Sequence, residues 1–322
     1  MTTAAHPAGH VDPTAGPPAL ELPTTVRRGQ GTGALRAVAA SLAAAAVLVQ
    51  MAFPFTDGGN LLLTSASVVL LSGAAHVHAL ATRGPRAVAA LALVGGGGGL
   101  VAEAVGVRTG VPFGDYAYSG TLGWEVVGVP VLVPLAWTMM AWPALLVARR
   151  LTLGLRDPRG RVLGPVVTAL LGAWALTAWD VFLDPQMVDQ GHWTWADPTP
   201  GLPGVDGIPL TNFAGWLVVS LLMVTLLDRL VPDARGPRER RDATDAVPYA
   251  VYLWTFGSSV LAHAVFFGRP PVAAVGAVVM GLVAVPLAVV LWRGRRRGGA
   301  RRAAGSDAGS DAGSAAAASR PR

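Results

Sequence analysis

Eight apolar stretches of roughly 20 residues alternate with short polar segments along the chain, and that spacing predicts eight membrane-crossing helices. They fall at about 35–55, 61–82, 87–107, 124–148, 162–183, 212–231, 247–267 and 272–292. Residues 1–34 are rich in Pro, Gly, Thr and Ala and show no apolar periodicity, so they read as a disordered arm. That arm does not resemble a secretory signal, because the first apolar run begins late and is long enough to span. Beyond residue 292 an arginine cluster gives way to low-complexity Ala, Gly, Ser and Asp, a second disordered segment. The expected organisation is an arm at 1–34, a helical domain at 35–292 and a tail at 293–322.

Composition narrows this to one class. Of 322 residues, 52% are hydrophobic and only 14% are charged, far from the balance of an ordinary soluble domain. The fold class is an all-α polytopic membrane helical bundle. The absence of cysteine removes disulfides, thiolate catalysis and cysteine metal sites, and the absence of lysine removes Schiff-base chemistry. The net charge of +6 is not a nucleic-acid signal once the arginines are placed. Arg83 and Arg86 lie between spans two and three. Arg149, Arg150, Arg156, Arg159 and Arg161 lie between four and five, and Arg229, Arg235, Arg238, Arg240 and Arg241 between six and seven. Both termini carry more, whereas the opposite loops hold only Arg108 and Arg269. By the positive-inside rule both termini are cytoplasmic, in the cell membrane, with anionic headgroups as partners of the charge.

On that topology the unusual polar residues collect at the extracytoplasmic half. Glu103 lies near the outer end of span three, with Asp115, Tyr116 and Tyr118 in the loop after it. Glu125 opens span four, and Asp180 and Asp184, which share a helix face, close span five beside Trp179. Asp189, His192, Trp193, Trp195, Asp197 and Asp206 follow in the next loop. Asn212 and Trp216 open span six, and His263 lies about one turn from the outer end of span seven. The inner half offers His76 and His78, which point to different faces. Two further features bear on packing. Gly95–Gly99 is a poor isolated helix that lets a neighbouring helix or a ligand approach the backbone. Pro130, Pro134 and Pro143 predict kinks in span four.

Structural readings stand beside the functional ones. The tryptophans and Tyr116 suit an interfacial aromatic belt, His263 a helix–helix hydrogen bond, His76 and His78 a structural role, and the loop acids simple solvation. Glu103 and Asp180 are harder to explain this way, since a charge at their depth is expensive. Burial favours the protonated carboxyl, the form a general acid needs. Such an acid can protonate an isolated alkene of a lipid-soluble polyene to a tertiary carbocation. Tryptophan faces stabilise that cation, and a second carboxylate, an Asn or a His can orient water to capture it.

Four blocks add a resemblance: GVPFGDYAYS at 110–119, LGWEVVGVPVLVPLAW at 122–137, AWDVFLDPQMVDQGHWTW at 178–195 and GIPLTNFAGW at 207–216. Together they resemble the carotenoid biosynthesis protein family over about residues 60–290. The one departure is Val205-Asp206, where an aromatic residue is expected just before the GIP block. The family includes carotenoid 1,2-hydratases, so the resemblance implies cofactor-free and metal-free addition of water to the terminal C1=C2 bond of an acyclic carotenoid or related polyprenoid lipid. On position and chemistry we assign Asp180, Glu103 and Asp184 to catalysis. Trp179, Tyr116, Tyr118, Glu125, Trp193, Asn212, Trp216 and His263 are assigned to substrate binding.

Two other classes compete. A membrane prenyltransferase also has about eight spans and Asp-x3-Asp motifs that hold Mg²⁺ and a diphosphate. Here there is one such pair, facing the side poor in the arginines a diphosphate needs. A transporter or carotenoid-binding protein would also place acids in a membrane cavity, but no inverted repeat is visible and the acids sit at one face rather than the midplane.

Overall fold

The computed structural model describes residues 24–56, 60–155, 163–233 and 238–318, with side chains described at 32–56, 60–155, 163–233 and 241–296. Asp57, Gly58, Gly59, Arg156, Arg159, Arg161 and Arg235 lie outside these ranges, as do the first and last residues of the two expected arms. Where those arms are described, from Thr24 and up to Ala318, the chain is helical. Eight helices are long and apolar enough to cross a membrane: α1 Thr32–Phe55, α2 Leu61–Arg83, α3 Pro85–Thr109, α4 Leu132–Leu151, α5 Leu163–Asp189, α6 Leu210–Leu230, α7 Ala246–Phe266 and α8 Pro270–Arg296.

The helices α4 and α5 form the centre. In their most apolar windows 72% and 61% of residues are buried, against 17% for α1, which is peripheral. From Trp137 to Arg149 every residue of α4 is buried, the pattern of a helix enclosed on all sides. Small residues set the spacing around this centre. The Phe182 ring of α5 fills the place a Cβ at Gly276 of α8 would take, and Val224 of α6 packs directly on Gly172 of α5. The glycine run on α3 is a packing surface for α4: Gly95 and Gly96 meet Thr138, and Gly99 meets Trp137. Leu91–Gly97 is wound as a π-helix, so the run also widens the helix locally.

Buried ion pairs close one end. Arg149 donates to Asp228 (2.7 Å) and to the carbonyls of Asp228 and Val231, satisfying orphan carbonyls at the end of α6. Arg83 pairs with Asp245 and Arg150 with Asp242, tying α2 and α4 to the start of α7. Next to them Trp142 donates to His78 Nδ1 (3.1 Å). His78 Nε2 therefore carries the hydrogen and donates to Thr244 O (2.9 Å), a structural role for this buried side chain. His76 bonds only the Ser72 carbonyl of its own helix.

The opposite end is built from short strands: β1 Tyr116–Tyr118, β2 Glu125–Val126, β3 Val129–Pro130, β4 Trp193–Trp195, β5 Gly201–Leu202 and β6 Val205–Pro209. Each pairs antiparallel with one other: β1 with β4, β2 with β3, β5 with β6. The β2–β3 hairpin corrects the expected start of span four at Trp124. Val127 (φ 52°) and Gly128 (φ 84°) form its two-residue turn, a conformation no helix contains, and α4 begins only at Leu132. Pro130 consequently lies in β3 and Pro134 in the first turn of α4, where no amide hydrogen is missed; only Pro143 is inside the helix. A second correction concerns α5, which runs on to Asp189. Asp180 thus lies about 13 Å below the helix end, at 1.5 Å per residue, rather than at its rim.

The glycine run offers a direct test. A Cβ at Gly99 would stand 2.6 Å from the Trp137 ring, whereas one at Gly98 meets nothing within 4 Å. Gly99→Ala is expected to cost about 1–3 kcal/mol by overpacking, and Gly98→Ala to leave stability unchanged or raise it, both read by thermal unfolding in detergent. Equal effects would show that the run does not pack α3 on α4.

Candidate active site

The β1–β4 pair determines what faces inward. Its register sets Tyr116 opposite Trp195, Ala117 opposite Thr194 and Tyr118 opposite Trp193. Strand side chains alternate, so the four aromatic residues share the inner face while Ala117 and Thr194 are exposed. They roof a cavity of about 570 Å³ whose walls come from α1, α2 and α3 through α7.

Glu103, buried on α3, lines this cavity beneath the roof. Its Oε2 accepts from Tyr116 and Tyr118 (2.8 Å for Tyr118), and its Oε1 accepts from Trp137 Nε1 at 3.1 Å. Three donors on two oxygens is a pattern suited to an ionised carboxylate. Burial, reinforced by Glu103, raises the pKa of both tyrosine hydroxyls, so they remain protonated donors.

A second carboxyl centre, on α5, belongs to the same cavity. Asn212, at the start of α6, donates through Nδ2 to Asp180 Oδ2 (2.9 Å) and to Asp184 Oδ2. Trp193 Nε1 donates to Asp184 Oδ1 (3.2 Å). Asp184 lines the cavity; Asp180 lies behind it, fully buried, with Oδ1 unpartnered. Two carboxyls held on one amide in a low-dielectric site repel as anions, an arrangement suited to a shared proton.

Aromatic faces fill the space between. Trp137 stacks on Trp216 with centroids 4.0 Å apart, and Trp179 meets Trp216 edge-on at 6.0 Å. His263, in the π-helical end of α7 at Ala262–Phe266, bonds Phe182 O through Nε2 (3.0 Å) and leaves its buried Nδ1 unpartnered. Among the described residues, no arginine lines the cavity.

Of the residues singled out in the sequence, Glu103, Asp184, Trp179, Tyr116, Tyr118, Trp193, Asn212, Trp216 and His263 all line this cavity, and Asp180 backs it. Glu125 does not join them: the β2–β3 turn carries it to an exposed strand. Asp115, Asp197 and Asp206 are exposed, and Asp189 pairs with Arg269 at the surface. His192 is buried against Thr121 (2.8 Å), and desolvation lowers its pKa. Reading the residues missed Trp137, the third donor to Glu103. Its signal was present, since an indole N–H within a span requires a partner.

A family model for carotenoid biosynthesis proteins matches residues 63–287. The chain belongs to the carotenoid biosynthesis protein family. It is similar to the bisanhydrobacterioruberin hydratase of Haloarcula japonica, with 32% identity over 160 residues, or 47% of this chain and 50% of that protein. The chain thus aligns with about half the length of this curated relative. No solved structure matches it. In this member of the carotenoid biosynthesis family both carboxyl centres, the β1–β4 roof and His263 fall within the matched segment.

If Asn212 is what makes the acid pair tolerable, removing its amide strands two buried carboxyls. Asn212→Leu should cost about 1–3 kcal/mol or more in thermal unfolding. A change within experimental error would show that the pair draws its stabilisation from elsewhere.

Proposed function

We propose that this protein adds water to the terminal C1=C2 double bond of an acyclic carotenoid end group, giving a tertiary alcohol by acid catalysis without a cofactor. The carrying observation is the largely apolar cavity lined by tryptophans, with both a carboxyl pair that shares one amide and a carboxyl that accepts three donors. The relative's name, a hydratase, points the same way. Asp184, which lines the cavity, gives its proton to C2, and Asp180 positions it through Asn212. The cation left at C1 faces the indoles of Trp179 and Trp216, an interaction worth about 2 kcal/mol when desolvated. Glu103 supplies the opposing negative charge. Water bonds to C1 and its surplus proton returns to Asp184, so the net change is one H₂O added and the acid restored. The arginine distribution supports a site near the extracytoplasmic face of the cell membrane.

Expression in a host that makes lycopene, followed by mass spectrometry of the pigments, should give products one water heavier per modified end. No such product from lycopene, γ-carotene or an acyclic C50 precursor would sink the reading. Activity should survive EDTA, whereas a prenyltransferase using Mg²⁺ would stop.

The carboxyl roles are tested separately. Asp184→Asn should lower turnover by at least about 100-fold, the scale of a lost general acid. Asp180→Asn and Glu103→Gln should each reduce it as well. Full activity in all three variants would remove the carboxyls from the chemistry.

A further inference from the structure

We propose that the polyene enters sideways, through a slit between α1 and α7, and remains threaded through it during reaction. One end lies in the cavity while the other stays in the bilayer. This rests on the carotenoid reading above and adds the route and the portion of substrate the protein reads.

The slit has two defined ends. At one, Gln50 of α1 accepts from Trp254 Nε1 of α7 (2.7 Å) and donates to Ser67 of α2 (2.7 Å), a polar clasp across the wall. At the other, Phe53 meets Phe267 (centroids 6.2 Å) and Phe55 meets Phe266 (5.9 Å). Between them Met51, Gly257 and Leu261 line the cavity and are themselves exposed. Exposed residues in a cavity wall are what an aperture requires. A Cβ at Gly257 would meet no atom within 4 Å, so the wall is open there.

Chemistry and size select the occupant. The slit lies within a membrane-crossing segment and carries no charged side chain among its described edge residues, so it faces acyl chains and favours a hydrocarbon over a charged ligand. On α7 the cavity lining runs from Leu253 to Phe266, about 20 Å at 1.5 Å per residue. An extended acyclic carotenoid is about as long as the hydrocarbon core is thick, roughly 30 Å. It does not fit whole, and the remainder has to leave where the wall is open. The far end is then never in contact with the carboxyl centres, so the protein modifies ends singly and ignores what the other end carries.

The cysteine-free chain makes this directly testable. Gly257→Cys places one thiol in the slit, and Val278→Cys places one on the exposed outer face of α8. Each variant is reconstituted in bilayers with and without lycopene and treated with a membrane-soluble maleimide, with bound pigment measured by absorbance co-eluting with the protein. Lycopene at about ten times its Kd should slow labelling of Gly257→Cys about tenfold and leave Val278→Cys unchanged. Bound pigment with equal labelling of Gly257→Cys overturns the slit. Protection that appears without carotenoid as protein density rises makes the seam a contact between copies, and also overturns it. Protection needs no turnover: a protected slit with no hydrated product would refute hydration alone, and hydrated product with an unprotected slit would refute the slit alone.

Discussion

The amide of Asn212, shared between Asp180 and Asp184, is the contact on which the rest of the site depends. Two acids one turn apart in the interior of a central membrane helix have no water to solvate them, so the protein must bring a donor to them. That donor sits in the first turn of α6, which fixes how α6 meets α5. It also fixes the loop before α6, since β6 runs directly into that helix. One turn further along α6, Gly215 lets the Pro112 carbonyl approach so closely that a Cβ would stand 2.6 Å from it. The α3–α4 loop is thereby drawn against α6, and with it the strand that carries Tyr116 and Tyr118.

The β1–β4 pair then links the two carboxyl centres. Tyr118 donates to Glu103, Trp193 donates to Asp184, and the two rings meet edge-on at 5.8 Å across the strands. A two-stranded ribbon alone is marginal in water. Here its inner face is held by hydrogen bonds to buried acids, and Trp195 adds one to the Phe113 carbonyl (2.9 Å). The roof and the acids hold each other in place.

What could be read in advance follows the same physics. The eight spans were legible because a bilayer demands long apolar runs, and the convergence of nearly all the polar residues followed from alternating topology. The start of α4 was not legible, because the run from Glu125 to Pro130 is apolar enough to pass for helix. Its hairpin depends on positive φ at Val127, a residue that rarely adopts it. Nor was the continuation of α5 past Asp184, because the expected span closes at Leu183 while the helix goes on to Asp189. Trp137 was hidden in a third way: as one apolar residue among many on α4, it becomes a donor only where Gly99 opens a place for its ring beside Glu103.

Three carboxyls in one apolar site would be redundant if they were equivalent, and their surroundings make them differ. Glu103 accepts three donors from residues that do not titrate as acids near neutrality, so its neighbours can stabilise charge but have no proton to give it readily. Asp180 and Asp184 divide one amide and one indole between four oxygens, and one of those oxygens has no partner at all. A proton placed on this pair can satisfy what the hydrogen bonds leave unsatisfied, whereas each Glu103 oxygen already accepts from at least one donor. On the reading proposed above, the pair is the site that holds a proton and Glu103 the site that holds a charge, in a cavity that Trp137, Trp179 and Trp216 also line. On that reading Asp184 is left as a carboxylate when its proton goes, ready to take one back from water, and Glu103 is a second negative charge that stays fixed throughout.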